Sequence, residues 1–166
     1  MQIRDERNED ADAIRRSTAA AFAQAPHSSG TEPRIVDALR DAGALAVSLV
    51  AISDDGSVVG HVAFSPVRIG GEAGRWYGLG PVSIVPEMQR QGIGEALIRE
   101  GLARLAALNA EGCVVLGDPA YYGRFGFVSD PALTYGDKPS AYFQRLVLMG
   151  KPRQGDVSYH PALDVA

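Results

Sequence analysis

"PEMQRQGIGEAL", residues 86–97, sets Gly92 and Gly94 one residue apart where a helix is predicted to begin. Glycine costs a helix interior roughly 1 kcal/mol relative to alanine, so a pair in a first turn needs a physical reason. One reason is that something approaches the backbone more closely than a β-carbon permits. A helix start leaves about four backbone N–H groups without a helical partner, at the positive end of the dipole, where an anion is stabilised. Glycines at 92 and 94 would let a phosphate or pyrophosphate reach those groups, with Arg90 as a charged donor at the rim. The same pair could instead allow close packing of helix on sheet, and the fragment alone leaves both open. Two other phosphate motifs fit poorly. No Gly-Lys-Ser/Thr follows the glycines, and a dinucleotide fingerprint would need a third glycine near position 97, where Leu97 stands.

Working outward, "RWYGLGPVSIV" upstream reads as a strand whose internal Pro81 cannot donate to a ladder, which predicts a bulge or an edge. Downstream, Leu97, Ile98, Gly101, Leu102, Leu105 and Leu108 mark an amphipathic helix from Gln89 to about Asn109. Before these lie a short strand "QIRDER" and a helix over 8–25, capped by Asn8 or Asp10, with Ile14, Ala21 and Phe22 near one face. A loop at 26–30 follows, then a helix with Thr31 as cap, Pro33 in its first turn and Gly43 as its stop. "ALAVSLVAIS" and "SVVGHVAFSPVRI" are strands joined by a tight "DDG" turn, and "GGEAG" turns the chain again. After the long helix come a buried strand "CVVLG", a short helix "PAYYGRF", a strand "AYFQRLVLM", and an extended tail with a turn at His160–Pro161. This order predicts an α+β (three-layer α/β) domain on a mixed, mostly antiparallel sheet. Parallel pairing is expected only after the fourth and fifth strands, where crossover helices intervene.

At 166 residues the chain suits a single domain, 1–166, with a substantial core, and 46% hydrophobic with 22% charged residues is ordinary globular composition. A net charge of −4 without a basic cluster gives nucleic acid little to hold. No apolar run is long enough for a bilayer span, and the charged start "MQIRDERNEDADAIRR" lacks a signal-peptide core, so a cytoplasmic location is expected. Cys113 is the one cysteine; it cannot form an internal disulfide and is not by itself a metal site.

The glycine turn and its flanks resemble the GNAT superfamily of acyl-CoA-dependent N-acyltransferases. The pyrophosphate-loop pattern [QR]-x-x-G-x-[GA] is met by Gln89, Gly92 and Gly94, the preceding V-P by Val85 and Pro86, and a late Y-x-x-x-G-F by Tyr122, Gly126 and Phe127. "GTEPRIVDALRDAGALAVSLVA", "GHVAFSPV" and "LGDPAYYGRFGF" are similar to the YhbS-like subgroup of predicted acetyltransferases. The resemblance covers nearly the whole chain and implies a GNAT-type sheet flanked by about four helices.

It also implies that Ser83, Ile84 and Val85 offer backbone groups to the pantetheine arm of acetyl-CoA. The pyrophosphate would rest on the N–H groups of Arg90, Gln91, Gly92, Ile93, Gly94 and Glu95. A strand N–H near Val82 to Ile84 would polarise the thioester carbonyl. Tyr122 matches the family's tyrosine and would be the general acid toward the departing thiolate; spacing alone reads Tyr121 and Tyr122 first as packing aromatics. Asp118 and Pro119 suit the start of that short helix. Where many members carry an asparagine before the tyrosine, this chain has "VVLGDP", which leaves that pantetheine contact unassigned. His61, Glu32, Glu72 or a water chain are the candidates for the base. The implied activity is acetyl transfer from acetyl-CoA to a primary amine of a small molecule or protein, without a metal. The alternative is a non-catalytic acyl-CoA-binding module. "PHSSGTE" and "TYGDKPSAYF" are the segments expected near the acceptor, and a homodimer through a sheet edge or the tail is compatible with the chain.

Overall fold

The computed structural model describes residues 1–23, 25 and 30–164. The elements are β1 (Gln2–Asp5), α1 (Ala11–Phe22), α2 (Glu32–Asp41), β2 (Val47–Ile52), β3 (Val58–Ile69), β4 (Glu72–Ile84) and α3 (Ile93–Ala107). They continue with β5 (Gly112–Leu116), α4 (Pro119–Tyr122), β6 (Leu133–Tyr135), β7 (Phe143–Val147) and β8 (Gly155–Tyr159). The sheet runs β1-β2-β3-β4-β5-β7, with β8 pairing both β3 and β6. It is an α+β fold with a mixed, mostly antiparallel sheet, as the sequence predicts.

Alternation along the strands sorts the layers. On β2, Val50 packs with Ile14 of α1 and Val36 of α2. Its neighbours Leu49 and Ala51 join Leu97, Ile98 and Leu105 of α3 on the other face. Beneath β8, Trp76, Val114 and Val157 form a further apolar cluster. Along α1 the buried positions are Ile14, Ser17 and Thr18, while Ala21 and Phe22 are only half-covered. Asp10 holds the N-cap position of α1 but makes no side-chain capping bond to it. Its carboxylate takes Arg4 at 2.7 Å and the Arg7 N–H at 2.7 Å, tying the helix entrance to β1.

Three expectations are corrected. Helix α3 begins at Ile93 rather than Gln89, because Pro86–Met88 is a single 3-10 turn and Arg90 and Gly92 have φ of 64° and 84°. These are left-handed values that a right-handed helix cannot include. At its far end Leu108 lies past the helix and is 52% exposed. The fifth strand is followed by an antiparallel partner, β7, not a parallel one. The four residues of α4 advance only about 6 Å, so the chain stays at the same end of β5 and returns alongside it. Strand β6 was not anticipated; three residues, "LTY", are too few to show a period. The loop expected at 26–30 lies, except for Gly30, outside the described residues. No helix among the described residues is long and apolar enough to cross a membrane.

Candidate active site

The site begins where β4 breaks step. Val62 faces Val82 and Phe64 faces Leu79, so Gly80 and Pro81 together oppose one residue of β3. This is the bulge that Pro81 predicts, and the Gly80–Pro81 bond is cis. On its other edge β4 pairs with β5 from Trp76↔Gly112 only as far as Gly78↔Val114. Both strands run on, β4 to Ile84 and β5 to Leu116, but apart. The wedge between them exposes one edge of β4.

Which groups face the wedge follows from the ladder. The Val85 N–H donates to Val59 O at 2.9 Å, so Val85 points toward β3. Antiparallel alternation then turns Ser83 toward β3 as well, and Val82 and Ile84 toward the wedge. The Ile84 carbonyl is already taken by the Gln89 side-chain amide at 2.9 Å, which fastens the glycine loop to the strand. Ser83 is buried, with its hydroxyl 3.3 Å from that of Thr18.

Two cavities lie along this edge. The first, about 390 Å³, is bounded by Ile84, Arg90, Gly92, Gly94, Tyr121 and Arg124, with Ile93 and Glu95 also in its wall. Gly92 takes the N-cap position of α3 in the left-handed conformation. A β-carbon built on Gly94 would come no nearer than 3.5 Å to the Tyr121 hydroxyl. Internal packing therefore does not require glycine at 94, and a side chain there would project into the cavity. Glu95 is turned onto Arg99 at 3.1 Å and Arg124 at 3.2 Å, which hold its carboxyl below its ordinary range. Gln91 reaches back to the Glu87 carbonyl at 3.5 Å.

The second cavity, about 420 Å³, occupies the wedge, with Gly80, Pro81, Val82, Val115 and Tyr122 on its strand side. Asp118 caps α4 by accepting the Ala120 N–H at 2.9 Å, and Pro119 holds the first helical position, as the sequence predicts. Successive helix residues point about 100° apart, so Tyr121 faces the glycine loop and Tyr122 the wedge, their rings meeting edge-on at 5.0 Å. Gly117 makes room for Tyr122: a β-carbon there would lie 2.5 Å from its ring. Burial, then the neighbouring Tyr121, pushes the Tyr122 phenol up to about 12.

The acetyltransferase (GNAT) family model matches residues 11–127. The chain belongs to that family. A GNAT family acetyltransferase from Brucella melitensis, solved in complex with acetyl-CoA, is 53% identical and superposes over 98% of this chain and 97% of that one with a TM-score of 0.87. YhbS from Escherichia coli, solved in complex with CoA, is 34% identical over 99% of this chain and 92% of that one, with a TM-score of 0.85. The Escherichia coli K12 protein, known as the uncharacterized N-acetyltransferase YhbS, is 43% identical over 99 residues, 60% of this chain. That match spans 59% of the curated relative's length.

Within this GNAT fold the three candidate bases separate. Glu32 borders the wedge cavity together with Tyr122. His61 is 1% exposed and faces away, its Nε2 2.8 Å from Ser48 Oγ and 3.7 Å from Glu6. Burial lowers its affinity for a proton. Glu72 sits at the exposed β3–β4 hairpin, 3.6 Å from Arg153. Sequence reasoning missed Tyr121 and Arg124 at the glycine loop; their spacing from Asp118 along one short helix was the available signal. It also missed Phe22, Tyr159 and Asp164 at the wedge, which no local pattern connects, whereas Tyr135 lies in the "TYGDKPSAYF" segment expected near the acceptor. Among the described residues no group of three or more His, Cys, Asp or Glu is placed to hold a metal ion.

Proposed function

We propose that this protein is an enzyme, a single domain over residues 1–166, that transfers an acetyl group from acetyl-CoA to a primary amine. The observation that carries this is the wedge opened at Gly80–Pro81, which, among the described residues, leaves one edge of β4 without a partner strand beside a glycine loop whose cavity no described side chain fills. The same donor set fits the two chemical ends of acetyl-CoA. N–H groups from Arg90 to Glu95, with Arg90 and Arg124, suit a pyrophosphate. The outward N–H and carbonyl of Val82 and the N–H of Ile84 suit an amide-bearing arm laid down as an added strand. The relatives solved with acetyl-CoA and CoA support the assignment.

Bound there, acetyl-CoA supplies an acetyl group activated as a thioester. The N–H of Val82 or Ile84 points where the carbonyl oxygen gains negative charge, and acts as a partial oxyanion hole. Glu32, directly or through one water, takes a proton from the amine so that its nitrogen lone pair can form the new N–C bond. As the C–S bond breaks, Tyr122 donates its hydroxyl proton to the sulfur. The ammonium gives up one proton before attack and a second as the amide forms, while one proton reaches sulfur, so each turnover releases one proton to solvent and exchange restores Glu32 and Tyr122. With its phenol near 12, Tyr122 remains a donor throughout the neutral range.

The test is thiol release from acetyl-CoA with and without added primary amines. Amine-dependent release is expected. Tight acetyl-CoA binding without turnover across a broad amine panel would instead favour a non-catalytic acyl-CoA-binding module.

A further inference from the structure

The wedge cavity has a second wall that the acetyl-transfer chemistry does not use. It is built from Phe22, Ile35, Tyr135, Tyr159 and Leu163, brought together from α1, α2, β6, β8 and the last turn of the described chain. Its aromatic part is fixed in place. Tyr135 meets Tyr159 edge-on with ring centroids 5.1 Å apart and stacks on Phe143 at 5.6 Å. The Tyr159 ring lies so close to β4 that a β-carbon on Gly78 would fall 2.6 Å from it.

Charge is distributed just as unevenly. The charged residues among the described lining are Glu32 and Asp164, both acidic, whereas the glycine-loop cavity carries Arg90 and Arg124 against the one carboxylate of Glu95. A flat apolar body gains contact with the aromatic wall, and a single ammonium gains the carboxylates and the ring faces. A second ammonium would have to be desolvated against Ile35 and Leu163, and a carboxylate would meet like charge.

We propose that the acceptor is a monocationic primary amine on an aromatic body, an arylalkylamine, with its ring against Tyr135 and Tyr159 and its nitrogen between Glu32, Asp164 and Tyr122. This rests on the acetyltransferase function proposed above and names its substrate class.

The test compares three probes at saturating acetyl-CoA by thiol release: phenethylamine; phenylalanine, which adds a carboxylate; and spermidine, which has cations but no ring. Acetyl-CoA binding is measured in parallel by calorimetry. Phenethylamine should have the highest kcat/KM, by about tenfold or more over either competitor. Asp164→Asn should raise KM for phenethylamine about fivefold or more while leaving the acetyl-CoA dissociation constant unchanged. Equal use of the three, preference for spermidine or phenylalanine, or no turnover of phenethylamine by protein that binds acetyl-CoA would overturn the acceptor class and leave the acetyl-CoA assignment standing. Failure to bind acetyl-CoA would overturn both.

Discussion

The two cavities along β4 are made in opposite ways. The glycine-loop cavity is assembled chiefly from one stretch of chain, Ile84 to Glu95, with Tyr121 and Arg124 closing it. It offers backbone N–H groups and guanidinium groups. The wedge cavity is assembled from segments scattered between Phe22 and Asp164, and offers rings, aliphatic surface and two carboxylates. A loop that must hold a constant group can be short and local. A surface that must discriminate among acceptors has to be gathered from several elements, where each can vary alone.

That contrast is open to direct attack. Tyr122→Phe removes a proton donor on the wedge side and nothing at the loop. Turnover should fall by about 10²- to 10⁴-fold with acetyl-CoA affinity kept, as read by steady-state kinetics beside calorimetry; unchanged turnover would end the acid role. Arg124→Ala removes a guanidinium at the loop, and should weaken acetyl-CoA binding by about tenfold without moving the KM for the amine. An equal shift in both would mean that the cavities do not act separately. Gly94→Ala is a finer probe. A β-carbon there meets only ordinary contacts, so thermal unfolding should show a gain of up to about 1 kcal/mol. Acetyl-CoA affinity should meanwhile fall a few-fold, in the opposite direction to stability.

The smallest effect on turnover is expected at His61. His61→Gln should change kcat by less than about twofold, because His61 lies outside both cavities, but it should alter the pH dependence of folding. Burial lowers the His61 value from 6.5 in the folded chain. The unfolded chain therefore takes up a proton that the folded chain refuses, and stability present above about pH 6.5 is lost as pH falls toward the lowered value. Thermal unfolding followed from pH 7.5 to pH 5 should fall less steeply in His61→Gln than in the wild type.

What could be read from residues alone tracks the same division. The glycine turn, the Pro81 bulge and the Asp118 cap are signalled by neighbours within a few positions, and each stands where expected. The reversal from β5 into β7 was not legible, because helix type was clear in "PAYYGRF" but its four-residue length, which forbids a crossover, was not. Gln89 fits a pattern, yet its work, holding the Ile84 carbonyl, depends on how the loop folds back. Among the three candidate bases, sequence offered no way to choose; only tertiary placement sets Glu32 beside Tyr122 and buries His61 against Ser48. The aromatic wall was legible only in part: "TYGDKPSAYF" holds Tyr135, but Tyr135 and Tyr159 become partners only through the parallel pairing of β6 with β8.

The most direct test is calorimetric titration of the folded protein with acetyl-CoA, beside the Gly94→Glu variant. That substitution should leave the circular dichroism spectrum intact while placing a carboxylate in the phosphate cavity. Micromolar binding by the wild type, weakened about 100-fold or more in the variant, is the predicted result. Equal binding by both proteins, or none by the well-folded wild type, would contradict the assignment of the glycine loop.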